Sequence, residues 1–367
     1  MVETGCRSKA EAFLISHRVD ETRSSRWLKG VRRSTTSGDA ARVAIRTRWS
    51  ELRGIAEAVA ESEAREADEI RRLRVATRRA AAALRLFVGD GARGDGVRAA
   101  RRRLKRLRRA AGAVRATDVH AGLLRRVAVE CGDESTRLAA AWCIGRLTEQ
   151  RGAAVAALRH ELGAKGTRRL LKQGRALGEM AQGEGNAERP MSEVATGSLD
   201  EALAPLCRRM ASSHLHAEAL HDLRLDAKRL RYTLELTRCG FDRKRFDAAY
   251  GSLRSLQDAL GAFNDLHELH DLVQGWVEEM ESAGRVEDAA LGPALRGLAA
   301  MIAHRREEEE TEALRWLEQQ WRREGLADLR RLAPGCTGGK SAKHREASTE
   351  RLPGSAARLR REGDAEQ

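Results

Sequence analysis

Apolar residues return at spacings of three and four along most of this chain, the period of an amphipathic α-helix, while alternating β-branched stretches are missing. Ala, Leu, Arg and Glu dominate and only five prolines occur, so the pattern predicts an all-α protein. The period breaks at RRSTTSGD (32–39), VGDGARGDG (88–96), CGDES (131–135) and MAQGEGNAERPMSEVATGS (180–198). Clusters of Gly and polar residues mark turns, and the last of these is the strongest linker candidate. Ser37 or Asp39 is placed to cap the helix after the first break. The breaks divide the chain into an N-terminal appendage (1–40), a first helical half (41–180), a linker (181–197), a second helical half (198–332) and a tail (333–367). The tail has few large apolar residues and is expected to be disordered.

The two halves repeat one another. EIRRLRVATRRAAAALRLF (69–87) aligns with ALHDLRLDAKRLRYTLELT (219–237), matching Leu73 with Leu223, Arg74 with Arg224, Arg78 with Lys228 and Leu84 with Leu234. LKRLRRAAGAVRATDVH (104–120) aligns with LRSLQDALGAFNDLHEL (253–269), matching Gly112 with Gly261 and Arg115 with Asn264. A one-residue difference between the two alignments fits a loop change inside a duplication.

Charge changes the picture of the first repeated helix. At about 100° per residue, His221, Arg224, Lys228 and Arg231 share a narrow arc. Leu220, Leu223, Ala227, Leu230 and Leu234 flank it on one side and Leu225, Tyr232 and Leu236 on the other. The first copy places Arg71, Arg74, Arg78 and Arg85 between Ile70, Leu73 and Leu84 on one flank and Val75, Ala82 and Leu86 on the other. A solvated face lies opposite the apolar stripe, not inside it. Cations bracketed by apolar residues therefore line a groove between packed helices, or else snorkel from a core edge or pair with acids. Glu235 falls within the second arc and is positioned to neutralise part of it.

A second run, RAARRRLKRLRR (98–109), has eight cations in twelve residues and no acid. Most of these are solvated on the plainest reading, but Arg101, Arg108 and Arg115 recur every seven residues beside Leu104, Leu107, Ala111 and Val114. Their counterparts Tyr250, Gln257 and Asn264 are neutral, so the first half carries more of the charge.

The whole chain has 367 residues and a net charge of +14, which calls for a polyanionic partner without choosing among nucleic acid, anionic lipid and polyphosphate. Aromatic residues are only 4% of the chain and do not cluster with the arginines, which argues against base-stacking platforms. Six scattered cysteines form no C-x-x-C pair and read as reduced thiols. No run reaches the ~20 apolar residues of a membrane span, and Phe13-Leu14-Ile15 is too short for a signal-peptide core. The expectation is a cytoplasmic protein. Repeated cations at i, i+3 and i+4, with guanidinium forks for bidentate contact, suit a run of phosphates.

At these residues the sequence resembles the CHAD family, the conserved-histidine α-helical domain, whose repeated signature is similar to H-x-L-R-x-x-x-[KR]-R-L-R. HDLRLDAKRLRY (221–232) matches it, RRLRVATRRAAA (71–82) matches with changes, and LQDALGAFNDLHE and LRRAAGAVRATDV resemble its second helix. The likeness covers about residues 41–330. It implies two pseudo-symmetric four-helix bundles whose basic central groove binds inorganic polyphosphate. Polyphosphate granules are one setting for such a module, and no cofactor is expected. On that footing Arg71, Arg74, Arg78, His221, Arg224 and Lys228 are the phosphate ligands, with Arg85, Arg108, Arg115 and Arg231 beside them. Arg71 stands where the family has its histidine, and Ala116 stands where an acid is usual.

Two other readings follow from the same residues. Rows of arginine neutralise a duplex backbone as well, so a nucleic-acid-binding helical protein is the main rival. A metal-dependent phosphohydrolase requires a metal cluster or nucleophile, and Asp118, Asp265 and Glu235 are dispersed in the sequence. ESEAR (61–65) resembles the E-x-E-x-K signature of CYTH-type triphosphate enzymes but has Arg for Lys and no following strands, and reads as a surface helix. A binding module is the expectation.

Overall fold

The computed structural model describes residues 26–62, 66–89, 94–131, 133–182, 187–211, 217–283 and 291–332. The fold is all-α. In order the helices are α1 (Ser37–Glu61), α2 (Ala67–Val88), α3 (Asp95–Cys131), α4 (Glu134–Gly163), α5 (Lys165–Lys172), α6 (Gly174–Gln182), α7 (Met191–Met210), α8 (Ala217–Thr237), α9 (Arg243–Ala283), α10 (Leu291–Trp316) and α11 (Gly325–Leu332). No strand is present among the described residues; one isolated bridge pairs Thr36 with Pro190.

Several expected boundaries move. Thr36, rather than Ser37 or Asp39, caps α1, its hydroxyl accepting from the Asp39 backbone N–H at 3.2 Å. Asp39 instead pairs with Arg42 at 3.0 Å. Residues 26–36 are integral to the fold and not an appendage: Trp27 meets Phe246 and Tyr250 edge-on at 5.4 and 5.1 Å, and Val31 is buried with Ala40 and Met191. α7 starts at Met191, directly after Pro190, so the expected linker gives up residues 191–197 to helix. Residues 1–25 and the tail from 333 lie outside the described residues, as do the last three positions of ESEAR, beyond the end of α1.

The apolar faces assemble three large cores, where two were expected, beside the small cluster of Val31, Ala40 and Met191. The first joins α1, α2, the first half of α3, the end of α4 and the short α5 and α6, through Trp49, Leu52, Ile70, Leu84, Leu104 and Leu158 among others. The second joins α7, α8, the first half of α9 and α11, with Leu206, Leu230, Phe246 and Trp321. The third is shared: the distal halves of α3 and α9 pack with α4 and α10 through Leu124, Cys143, Val273 and Leu298. Above it Arg146 lies over both Trp142 and Trp276, at 5.1 and 5.4 Å from the ring centroids. α3 and α9 are long because each serves two cores, at about 1.5 Å of rise per residue. Periodicity reveals that a face is buried but not against which partner, so the sequence could not show the shared core.

α8 joins the halves at the centre. Leu220, Leu223, Leu230 and Leu234 belong to the second core, whereas Tyr232 and Leu236 belong to the first. That division explains the two apolar flanks read from the sequence, since each flank faces a different half. Arg79 on α2 donates through Nε to Glu235 on α8 at 2.8 Å, with side chains only 5% and 2% exposed. Tyr250 donates its hydroxyl to the other Glu235 oxygen at 3.0 Å. Arg79 also reaches Glu51 at 3.3 Å, and Glu51 pairs with the fully buried Arg48 at 3.0 Å. Burial opposes the Arg79 charge, but Glu235 and Glu51 outweigh it and raise its pKa. Burial and the neighbouring Glu235 carboxylate hold the Tyr250 hydroxyl above its ordinary range, so it remains a donor.

Removing one member of a buried pair leaves the other charge uncompensated, at a cost of about 3–5 kcal/mol. Arg79→Ala is therefore expected to destabilise the protein by that amount in urea unfolding. Arg79→Met combined with Glu235→Leu and Tyr250→Phe is expected to recover most of it.

Candidate functional site

The expected cations of both halves converge where the three cores meet. Val114 lies in the first core and Leu123 in the shared one; Phe263 lies in the second and Leu266 in the shared one. Arg115 and Asp265 fall between these positions, facing α2 and α8. Arg78 is the hub, within electrostatic reach of Arg74, Arg108, Arg224 and Lys228. Arg115 acts on Arg74 and on Asp265, and Arg85 on Arg108. Helix geometry brings each row into line: Arg74 and Arg78 are one turn apart on α2, as are Arg224 and Lys228 on α8.

Burial sets the charge state of this cluster. Desolvation, then Arg78, Arg115 and Arg224, lowers the Arg74 pKa to about 10, which still leaves the guanidinium charged at neutral pH. Lys228 goes further: desolvation, then Arg224, Arg78 and Arg74, pushes it down to about 6 despite Asp265 nearby. An ammonium loses more hydration than the more weakly hydrated guanidinium and gives up its proton when crowded. Arg108 is lowered by burial and then by Arg78, Arg85 and Arg109. The Nε atoms of Arg74 and Arg224 are buried without a hydrogen-bond acceptor.

Two carboxylates of α9 act on the cluster, Asp265 by contact and Glu268 from further off. Arg224 reaches Asp265 at 3.4 Å, a long contact. Burial pushes Asp265 up and Arg224 down, so desolvation outweighs their attraction. Glu235, the acid that the sequence places in the second arc, is instead taken by Arg79 and Tyr250. The arginines of the cluster consequently retain most of their charge.

His221 marks the open end of α8. It is exposed and its Nδ1 lies 2.7 Å from Asn264 Oδ1. Asn264 donates its amide to Glu268 at 2.6 Å. A carboxylate only accepts, so the amide nitrogen must face Glu268 and its oxygen the imidazole. His221 therefore carries a proton on Nδ1 and turns Nε2 away from Asn264. Leu225 beside it is 48% exposed, so the expected second apolar flank is closed only toward Tyr232 and Leu236.

The structure sets aside one expected site residue, Arg231, and uses Arg101 of the second basic run elsewhere. Arg231 turns out of the cluster: it donates to the Tyr232 hydroxyl at 3.1 Å and lies 4.9 Å above that ring. The physical reason is the buried Glu235 network one turn away, which offers a partner that the cationic row does not. Arg101 donates to the carbonyls of Leu84 and Gly89 and closes the end of α2, where Gly89 takes a φ of 68°. Arg71, partly exposed, precedes Arg74 by a turn at the N-terminal end of α2. Counterparts in the second half meet α8 in the same manner, Gln257 donating to the Ala227 carbonyl at 2.8 Å.

Arg79 was missed as a cross-link by sequence reasoning; its one signal is its place among Ala76, Ala80 and Ala83, all buried. Asp118 is held by Arg151 at 2.7 Å, away from Glu235 and Asp265 in its bonding. Among the described residues no three metal-ligand side chains converge, and no helix is long and apolar enough to cross a membrane. Two cavities, of about 300 and 150 Å³, lie elsewhere, one beside Lys244 and Arg331 and the other beside Trp27 and Cys239.

Comparison with known proteins gives a family. A CHAD domain model matches residues 43–274. The crystal structure of the CHAD domain from the plant Ricinus communis superposes with a TM-score of 0.60 at 17% identity, covering 87% of this chain and 98% of that one. PptA from Streptomyces chartreusis superposes with a TM-score of 0.60 at 18% identity, covering 78% and 100%. At these identities the likeness is one of fold. No curated protein matches the sequence.

Crowding at Lys228 has a consequence for stability. Its folded pKa of about 6 lies far below the ordinary lysine value of 10.5, so between those pH values the unfolded chain binds the extra proton. Wild-type stability therefore rises with pH across that window through this group. Lys228→Met is expected to raise the unliganded melting temperature, most at pH 6 and below, with the gain shrinking toward pH 10.

Proposed function

The chain belongs to the CHAD family, and we propose that its cationic cluster binds inorganic polyphosphate, as a non-catalytic module. The observation that carries this reading is the convergence of Arg74, Arg78, Arg224 and Lys228 from two halves at a site where burial and neighbouring cations oppose the charges of Arg74, Arg224 and Lys228. Such a cluster is unfavourable by itself, and an anion threading it removes the repulsion. Arg108 and Arg115 extend the row along α3, and Arg71 and His221 flank its more exposed end.

Polyphosphate suits the site in two respects. It offers a charge at every unit, matching cations one helical turn apart. It is also thin and flexible, whereas the half-buried arginines lie too deep for the backbone of a rigid duplex. Nucleic acid remains the second reading because its phosphates have the same chemistry. Polyphosphate granules in the cytoplasm are the setting in which this partner is abundant. Arg231 is not among the proposed ligands, since Tyr232 and the Glu235 network engage it.

Calorimetric titration with long-chain polyphosphate tests the assignment. Arg74→Ala with Arg224→Ala is expected to stay helical and to bind at least about a hundredfold more weakly, since each of the two charge-assisted contacts is worth about 1.5–3 kcal/mol. Equal affinity would overturn the site. Affinity should fall steeply with salt, and polyphosphate should displace nucleic acid readily while the reverse takes large excess. A bound polyanion also raises the Lys228 pKa, so binding takes up a proton above pH 6. The expected profile is flat below that pH and falls above it, by up to about tenfold per unit for one coupled proton.

A further inference from the structure

We propose that α3 and α5 together form a second anion-binding face, on the outside of the first half, which takes the phosphate backbone of a nucleic-acid duplex without regard to sequence. This face is separate from the recessed cluster and does not depend on the polyphosphate reading.

The face begins in the basic run of α3. Arg102, Lys105, Arg106 and Arg109 are exposed, while Leu104, Leu107 and Ala111 of the same turns are buried in the first core. At about 100° per residue, the four cations point away from that core, whereas Arg108 and Arg115 turn toward the cluster. α5 repeats the design in two turns: Thr167 and Leu170 are buried, and Lys165, Arg168, Arg169 and Lys172 are exposed. Arg103 joins the two helices. It pairs with Glu161 at 3.6 Å, and its guanidinium packs so closely on Gly166 that an added Cβ there would lie 2.5 Å from it. Arg106 stands one turn from Arg103, and Arg169 one turn from Gly166, so the two exposed rows adjoin at this contact.

Two observations separate this face from an ordinary solvated surface. Elsewhere many exposed arginines are tied to acids on their own helix, as Arg175 is to Glu179, Arg243 to Asp247 and Arg331 to Asp328. Among the described residues none of the eight cations on α3 and α5 has such a partner. No acid occurs at 96–117 or 162–178; Asp95 is taken by Arg98, and Glu161 by Arg103 and the Thr167 hydroxyl. The second observation is that the fold does not require the row. The matching positions on α9 hold Gly251, Arg254, Ser255 and Asp258, yet Leu253 and Leu256 beside them are fully buried in the second core.

The form of the surface selects the partner. Rows of cations without carboxylates create a positive field that draws a polyanion, and a convex pair of helices meets a rigid duplex that the recessed cluster excludes. Arg102 to Arg109 spans about 10 Å at ~1.5 Å per residue, which matches about three phosphates of one strand at ~3.4 Å of axis each. Neither row includes an aromatic residue, so a single strand finds no stacking platform. The large apolar residues that are exposed, Val129, Leu138, Met180 and Leu225, all lie on other segments, so nothing on this face enters a lipid layer. Phosphate contacts alone carry no sequence information.

Fluorescence anisotropy with short mixed-sequence DNA duplexes, read across a salt series, tests the proposal. Arg102→Gln with Arg106→Gln and Arg109→Gln is expected to bind at least about tenfold more weakly and to reduce the log–log salt slope by about 3, since each lost phosphate contact removes about 0.9. Arg168→Gln with Arg169→Gln and Lys172→Gln is expected to act in the same direction. Both variants should keep wild-type helicity, because the replaced side chains are exposed. Duplexes of different sequence should bind alike. Arg74→Ala with Arg224→Ala should leave duplex affinity unchanged. Duplex binding lost in that variant and retained in the two surface variants would assign nucleic acid to the cluster and overturn this face. Duplex binding lost only in the surface variants, with polyphosphate affinity unaffected by Arg74→Ala and Arg224→Ala, would support this face while overturning the polyphosphate site. Vesicles containing phosphatidylserine are the last probe: capture by them that the surface variants lose, without duplex binding at the same salt, would replace the nucleic acid with a membrane and overturn the proposal.

Discussion

The buried ion pair between Arg79 and Glu235 fixes how the two halves of this protein meet. It crosses from α2 to α8 in a place where neither charge can reach bulk water, so its geometry tolerates little displacement. Tyr250 and the Glu51–Arg48 pair complete it, satisfying the remaining polar atoms that make a buried pair costly. Because α8 is tied there, one of its flanks must pack into the first core and the other into the second. The strip between the flanks is then directed toward α2 and α3, and its cations meet those of the first half. The same pair removes Glu235 from the site, which would otherwise neutralise part of it.

The cluster that results opposes folding. Arg74, Arg224 and Lys228 lose hydration and repel one another; of the two carboxylates on α9 that act on Arg224, Asp265 and Glu268, the first is itself disfavoured by burial. The three apolar cores around the cluster provide the stability that such an arrangement consumes. A strained site of this kind is familiar where a protein must bind strongly to something it does not contain. Lysine and arginine respond differently to that environment: the guanidiniums keep their protons, and the one ammonium releases its own. A row that is otherwise permanently charged thereby acquires a single titratable member.

Much of the arrangement was legible in the sequence. The all-α class came from the period of the apolar residues, and the repeat placed Arg74 opposite Arg224 and Arg78 opposite Lys228 before any helix was positioned. Cations inside an apolar stripe marked both helices as facing something other than solvent. The readings that failed did so for tertiary reasons. Arg231 shares the arc of Lys228 on a helical wheel, yet Tyr232 and Glu235 lie close enough to draw it away. Arg79 lies off the cationic arc and carried no reading of its own, because the partner that buries it is 156 residues distant.

Periodicity and composition are local properties, and they decided on their own that this chain forms amphipathic helices, that it is strongly basic, and that particular cations lie beside apolar residues. Which core each flank enters, how α3 and α9 extend into a third core shared by both halves, and which acids meet which bases depend on contacts between residues far apart in the chain. Lys228 shows the division most clearly. Its sequence position identified a cation one turn from Arg224, while its loss of a proton near neutral pH arises chiefly from desolvation, with Arg224 and then Arg78 and Arg74 of another helix adding to it; the burial and the second-helix arginines exist only after the halves have come together.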